Sequence, residues 1–174
     1  MGLKSRHPVG RREVRGIVKT LSEMFGEEAA SNFIGRKDKV EVAKFDKMTE
    51  VIFVNDRPTL IKRGDMIFPL VIALYDISQR EDLRKWKRRV VVDEGAVRHI
   101  LNGADVMAPG VVDADEGIAE GDLVFVVDQE YGRPLAIGIA LESGKKMKES
   151  NRGKVVKVIH HAKDKLWEIT SARA

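Results

Sequence analysis

The first clear pattern in the chain is helical. Between Val9 and Phe25 the apolar residues recur three and four positions apart, which predicts an amphipathic helix. Gly26 then supplies a stop signal, and a short second helix is expected over 27–33. The polar face of the first helix would carry four cations, Arg11, Arg12, Arg15 and Lys19.

Alternating apolar and polar positions follow, and they predict strands. VEVAKF, EVIFVND and TLIKRG alternate in this way, and Asn55 and Asp56 would turn the hairpin between the last two. Pro69 precedes the apolar segment LVIALYDI. We interpret that segment as a helix because proline suits a first helical turn, and a buried strand is the alternative. This first unit is therefore α+β, and we expect it to end at Trp86.

The second half begins with a strand and a capped helix. The strand is expected over 90–92, Asp93 can cap the helix that follows, and Gly103 would end it. Short strand-like segments separated by turns come next, namely GVVDAD, DLVFVVD, PLAIGIALES and KVVKVIHHAKDKLWEI. Many short strands that close on themselves indicate a small barrel. The predicted organisation is thus a small α+β domain over 1–86 and a barrel domain over 87–174.

Charge adds to this picture because the cations are segregated. The 174 residues include 31 Lys and Arg against 27 Asp and Glu, a net charge of only +4. Three runs are nevertheless basic, near the N-terminus, over 84–89 and over 145–157, whereas 105–130 holds no Lys or Arg. Such segregation favours a polyanionic partner that approaches defined faces. A merely solvated surface is the alternative.

Several kinds of chemistry lack the residues to carry them. The chain has no cysteine, its four histidines show no metal-ligand spacing, and it has no phosphate-binding glycine motif. No run of about 20 apolar residues exists, so we expect no membrane partner, and the absence of cysteine favours a cytoplasmic location. We therefore expect a binding module without catalysis, metal or cofactor. The enzyme alternative would use the acidic residues Asp113, Asp115 and Glu116.

The segment NGADVMAPGV, residues 102–111, is the best candidate for recognition. Its small residues hold no bulky side chain between the backbone and a ligand, so backbone N–H and C=O groups could reach a base or ribose. Asp105 would accept a hydrogen bond or only shape the turn, and Met107 would face a base or the core. The structural alternative is that Gly103 is a helix cap and Pro109 with Gly110 a turn.

Four segments together resemble a PUA domain, a module named after pseudouridine synthases and archaeosine transglycosylases. They are VDEGAVRHILNGADVMAPGV, EGDLVFVVD, PLAIGIAL and GKVVKVIHHAKDKLWEI. The resemblance implies a β pseudo-barrel with two helices that binds structured RNA and tRNA ends. It places RNA at the loop residues Gly103, Ala104, Asp105, Met107, Pro109 and Gly110. Phosphate contacts beside that loop are expected from Lys145, Lys146, Lys148 and Arg152.

The whole chain, including EVIFVNDRPTLIKRGDMIFPLVIALY, resembles an archaeal version of the malignant-T-cell-amplified-sequence family. That resemblance implies a translation factor that acts at the small ribosomal subunit and tRNA in initiation, reinitiation or recycling. Eukaryotic members pair with density-regulated protein, and ligatin carries both halves, so a similar partner is expected. The N-terminal cations Arg11, Arg12, Arg15 and Lys19 would then face ribosomal RNA or that partner. The alternative function is an accessory subunit that presents tRNA or rRNA to an RNA-modification enzyme.

Overall fold

The computed structural model describes residues 2–172. Residue 1 and residues 173–174, at the outer ends of the two predicted domains, lie outside the described part. Two β-sheets organise the chain, one formed before residue 87 and one after it. The boundary between 86 and 87 itself stays a prediction.

The first sheet is antiparallel, with its strands in the order β1-β2-β3-β4-β5. The strands are β1 His7–Pro8, β2 Val40–Lys44, β3 Thr49–Val54, β4 Arg57–Arg63 and β5 Met66–Pro69. The accompanying helices are α1 Arg11–Phe25, α2 Glu27–Ala30 and α3 Val71–Ser78. Asn55 and Asp56 turn the β3–β4 hairpin with φ of 49° and 69°, as predicted. The amphipathic helix is also confirmed, because α1 buries Ile17 and Leu21.

The helix α3 is confirmed, but the reason given for it is wrong. Pro69 is the last residue of β5, and the helix begins only at Val71 after the extended Leu70. The backbone N–H of Leu70 donates to the carbonyl of Thr59, which continues the ladder with β4 past the proline. Pro69 is tolerated because β5 is an edge strand.

The second sheet is a nearly closed barrel with strand order β7-β11-β10-β9-β6-β8. Only β6 and β9 pair in parallel; the other neighbours are antiparallel. The strands are β6 Arg89–Val92, β7 Val106–Met107, β8 Val111–Ala114, β9 Leu123–Asp128, β10 Pro134–Ala140 and β11 Lys154–His161. The helices are α4 Glu94–Leu101, α5 Gly144–Glu149 and α6 Lys165–Ser171. The α+β class and the barrel are therefore confirmed.

Two elements of the second half differ from the prediction. The segment that closes KVVKVIHHAKDKLWEI is not strand but α6, because Asp164 caps it by accepting the backbone N–H of Trp167 at 2.8 Å. The basic segment after Ser143 forms α5, whose first turn is capped by the Ser143 hydroxyl. Both helices are short, and in the sequence only their cap residues, Ser143 and Asp164, indicated that a helix begins there.

The two halves share a hydrophobic core. Trp86 is only 8% exposed and lies between them. Its ring centroid is 5.7 Å from that of Phe25, 6.0 Å from Phe33 and 6.2 Å from Phe125 of β9. Packing between the units, rather than display as a stacking platform, is therefore the role of Trp86. Among residues 2–172, no helix combines the length and apolar character that crossing a membrane requires.

Candidate functional site

A cleft of about 710 Å³ opens between α4 and the loop that follows it. All six loop residues predicted to contact RNA line this cleft. The lining residues are Asp93, Gly95, Ala96, His99, Ile100, Gly103, Ala104, Asp105, Val106, Met107, Pro109, Gly110 and Lys154. Among them His99 and Lys154 were not foreseen from the sequence.

The cleft owes its shape to the two ends of α4. Asp93 caps the helix by accepting the backbone N–H of Ala96 at 3.0 Å. Gly103 ends it with a φ of +92°, a conformation that favours glycine. A side chain at Gly103 would also approach His161, since a Cβ there would lie 3.2 Å from Nε2. Gly103 therefore both ends α4 and lines the cleft.

Gly110 lets the far end of the loop pack directly on α4. A Cβ placed on Gly110 would lie 2.9 Å from the Cβ of Ala96, closer than side chains approach each other. The carbonyl of Gly110 also accepts the backbone N–H of Asp93 at 2.9 Å. The loop is thus attached to the start of the helix as well as to its end.

Three backbone N–H groups of this loop are engaged within the fold. The N–H groups of Gly103 and Ala104 donate to the carbonyls of Ile100 and His99, both at 2.9 Å. The N–H of Ala108 donates to the carbonyl of Gly153 at 2.8 Å. These three donors therefore already have partners in the fold.

The side chains of β7 divide between core and cleft. Val106 is 1% exposed and packs inward, whereas Met107 is 46% exposed and presents its thioether at the cleft. Asp105 shapes the site rather than standing free: its carboxylate accepts the backbone N–H of Val158 at 2.9 Å and lies 3.4 Å from the ammonium of Lys154. Asp105 therefore holds Lys154, the cleft's lysine, next to exposed Met107.

None of the four predicted phosphate-binding cations lines this cleft. Lys145, Lys146 and Lys148 lie on α5, which packs on β8, and Lys148 is 3.5 Å from Glu116. Arg152 is exposed in the loop before β11. Lys154 takes the position expected of them because β11 pairs with β7, which sets Lys154 opposite Met107. Lys154 is identified as a cleft residue only by this long-range strand pairing, which the sequence pattern does not predict.

The acidic residues considered for catalysis are engaged in the fold. Asp113 pairs with Arg89 at 2.9 Å, and Asp115 accepts the backbone N–H of Arg88 at 2.7 Å. Glu116 is the partner of Lys148. These carboxylates therefore have structural partners, and none of them lines the cleft. Across residues 2–172, no group of three His, Asp or Glu side chains is arranged to hold a metal ion.

The four N-terminal cations lie together on the exposed side of α1. The one acidic residue among them, Glu13, is 3.3 Å from Lys62 of β4. Ile17 and Leu21 on the opposite side of the helix are buried, which fixes the direction of the basic face. The face consists of Arg11, Arg12, Arg15 and Lys19.

Comparison with known proteins places the cleft within a recognised domain. The PUA domain family model matches residues 88–162. The crystal structure of hypothetical protein PH0734.1 from Pyrococcus horikoshii is 69% identical, with a TM-score of 0.93 over 95% of this chain and 99% of that one. Uncharacterized protein MJ1432 of Methanocaldococcus jannaschii is 41% identical over 96% of this chain and 98% of its own length.

Two eukaryotic relatives match most of the chain at lower identity. Translation machinery-associated protein 20 of Saccharomyces cerevisiae is 24% identical over 83% of this chain and 80% of its own length. Malignant T-cell-amplified sequence 1 of Rattus norvegicus is 23% identical over 90% of this chain and 86% of its own length. The similarity thus extends beyond the PUA domain into the first sheet.

Proposed function

Because the chain belongs to the family of PUA-domain proteins that includes the archaeal relatives, Translation machinery-associated protein 20 and the malignant T-cell-amplified sequences, we propose that it is a noncatalytic RNA-binding factor of translation. It acts at the small ribosomal subunit and tRNA, in initiation, reinitiation or recycling. Its location is cytoplasmic, and it needs no cofactor.

The observation that carries this proposal is the cleft beside α4. Its lining includes several small residues together with an exposed thioether, an imidazole and an ammonium group. Such a site suits an unstacked nucleotide, because the base can lie on an apolar surface while the cation contacts phosphate. The ligand is a single-stranded RNA end, and the CCA end of tRNA is the candidate.

Two basic surfaces outside the cleft have distinct roles in the proposal. The α5 surface, Lys145, Lys146, Lys148 and Arg152, contacts the RNA backbone without reading its sequence. The α1 face, Arg11, Arg12, Arg15 and Lys19, docks on ribosomal RNA or on a density-regulated-protein-like partner. The cations of both surfaces are exposed.

A binding titration with tRNA tests the proposal. Wild-type protein is titrated with intact tRNA and with tRNA that lacks its terminal nucleotides, across several salt concentrations. We expect tighter binding to the intact molecule, because only that molecule fills the cleft. Equal affinity for both tRNAs would refute recognition of the end and leave nonspecific charge as the whole of the RNA binding.

Association with the ribosome separates this function from an accessory role in RNA modification. The factor proposed here should cosediment with small ribosomal subunits from its source cell. Copurification with an RNA-modification enzyme, and none with the subunits, would instead identify a chain that presents RNA to a catalytic partner.

A further inference from the structure

A second cleft lies on the opposite side of α4. Its volume is about 960 Å³, and it is formed by the other face of the helix and the turn between β9 and β10. Gly95 and His99 of α4 line the first cleft, whereas Val97 and Arg98 line the second. Asn102, directly before Gly103, also lines the second cleft, so the two clefts adjoin around the C-terminal end of α4.

Tyr131 dominates the surface of the second cleft. Its side chain is 65% exposed, although it is large and aromatic. The guanidinium of Arg133 lies over one face of the ring at 4.9 Å from its centroid, a cation–π arrangement. An exposed aromatic ring of this kind offers a base a flat surface for stacking, whatever the identity of the base.

The turn that carries Tyr131 is held rigidly. The carboxylate of Asp128, only 3% exposed, accepts the backbone N–H groups of Tyr131 at 2.6 Å and Arg133 at 2.9 Å. The guanidinium of Arg84 donates from the other side to the carbonyls of Gln129 and Glu130, at 2.8 and 3.1 Å. Because the turn is already ordered, a ligand that stacks on the ring does not have to order it.

Charges near the ring divide into two groups. Arg98 and Lys163 are exposed cations that line the cleft, and neither forms an ion pair with any residue in the 2–172 range. Lys163 holds its cation there in a left-handed conformation, with φ of +75°, which glycine would adopt without strain. Glu94 and Glu130 also line the cleft, and their carboxylates would repel phosphates from their own vicinity.

We infer that the second cleft is a stacking subsite for single-stranded RNA, which holds the nucleotides that precede the one bound in the first cleft. A base stacks on Tyr131, and the adjoining phosphates lie at Arg98 and Lys163. The inference rests on the proposed function, since the strand direction is set by the RNA end in the first cleft. An RNA strand is favoured over a peptide because a base-stacking surface and unpaired cations occur together, next to the first cleft.

The test uses the full chain and an RNA of about ten nucleotides that ends in CCA, within the span of known single-strand sites. One version has a free 3′ hydroxyl and the other a 3′ phosphate that blocks the end. Tyr131→Ala should weaken binding of both RNAs about tenfold, as expected for one lost stacked base. Tyr131→Phe keeps the ring and should bind like wild type. The ratio between free and blocked RNA should stay unchanged in both variants.

A second variant tests the charge independently of the ring. Lys163→Gly should lower the affinity for both RNAs. It should also reduce the salt slope, the steepness with which log affinity falls against log salt concentration, by about one. Its thermal stability should match or exceed that of wild type, because glycine suits the left-handed position. A loss of affinity without a loss of stability would therefore come from the missing cation and not from misfolding.

Each outcome bears on one of the two claims. Wild-type affinity in Tyr131→Ala for both RNAs would overturn the stacking subsite and leave recognition of the RNA end intact. Equal binding of free and blocked RNA by wild type would overturn recognition of the end, whereas the Tyr131 effect would still be measurable. A photo-crosslink from a 4-thiouridine placed upstream of CCA to the turn at Tyr131 would support the subsite, and a crosslink confined to the first cleft would contradict it.

Discussion

The imidazole Nε2 of His160 accepts the backbone N–H of Val71 at 3.1 Å, and this hydrogen bond joins the barrel to the first turn of α3. His160 is completely buried, and its Nδ1 donates to the carboxylate of Asp164 at 2.8 Å. The second contact fixes the tautomer, because a ring that donates from Nδ1 has Nε2 available as an acceptor. One buried side chain thus connects β11, α6 and the N-terminal half.

We expect His160→Ala to lower the free energy of unfolding by about 2 kcal/mol or more, since it leaves a buried donor without a partner and opens a cavity. His160→Gln should cost less, because its amide oxygen can approach the position of Nε2. Chemical denaturation of both variants provides the measurement. His7→Ala, at an exposed position, is the control. Equal stability of the His160→Ala and His7→Ala variants would show that the bridge contributes nothing.

Asp164 should make the free energy of unfolding depend on pH in the acid range. Burial alone would raise the pKa of its carboxyl group, but hydrogen bonds from His160 and from the backbone N–H groups of Trp167 and His161 lower the pKa below its usual value. Its stabilisation is therefore complete above the unfolded pKa of about 3.9 and is lost as the pH falls through the lower folded pKa.

The matched variant for this effect is Asp164→Asn, which cannot titrate. Near neutral pH it should be less stable than wild type, because it loses the charged acceptor of three hydrogen bonds. Below about pH 4 its stability should change less steeply with pH than that of wild type. Urea denaturation at a series of pH values measures both quantities, and parallel curves would exclude Asp164 as a source of the dependence.

Gly110→Ala should damage the first cleft through packing. The added methyl would meet the methyl of Ala96, so the loop must move away from α4 at a cost of about 1–3 kcal/mol. Gly16→Ala is the matched control, since nothing lies within 4 Å of its added Cβ and the residue is inside α1. That control should raise stability by about 0.5–1 kcal/mol. Thermal unfolding of both proteins compares the two effects.

Substitutions in the cleft and on α5 should affect RNA binding differently. Ala104→Leu fills the cleft without changing charge, so selectivity for a free 3′ end should fall while the salt slope stays the same. Lys154→Ala should reduce the slope by about one, and Lys146→Ala combined with Lys148→Ala should reduce it by about two, with weaker binding to every RNA. Titrations across salt concentrations measure both properties. Wild-type behaviour of Ala104→Leu would remove the loop as a recognition site.

Reversal of charge on α1 tests the proposed ribosomal surface. Arg12→Glu combined with Arg15→Glu should weaken cosedimentation with small ribosomal subunits and leave the fold intact, because both side chains are exposed. Arg36→Glu combined with Lys37→Glu makes the same change in net charge at another exposed site and is the control. If both double variants cosediment equally well at moderate salt, the α1 face only confers solubility.

Local patterns in the sequence determined most of the secondary structure and one side of the candidate site. The helical spacing of α1, the Asn55–Asp56 hairpin and the Asp93 cap each depend on neighbouring residues, so they could be predicted without a fold. The six loop residues are also close together in the chain, but the resemblance to a PUA domain, and not the local pattern, assigned them to RNA binding. Where local signals competed, at Pro69 and in the last helix, the prediction was partly wrong.

Only the tertiary structure decided which residues lie opposite the six loop residues of the first cleft. Lys154 reaches the cleft because β11 pairs with β7, some fifty positions earlier in the chain, and α5 lies on β8 instead of beside the loop. The bond between His160 and Val71 likewise joins residues 89 positions apart. Such contacts depend on strand order and on packing between the two halves. The residues around one partner therefore do not indicate which distant residue it will contact.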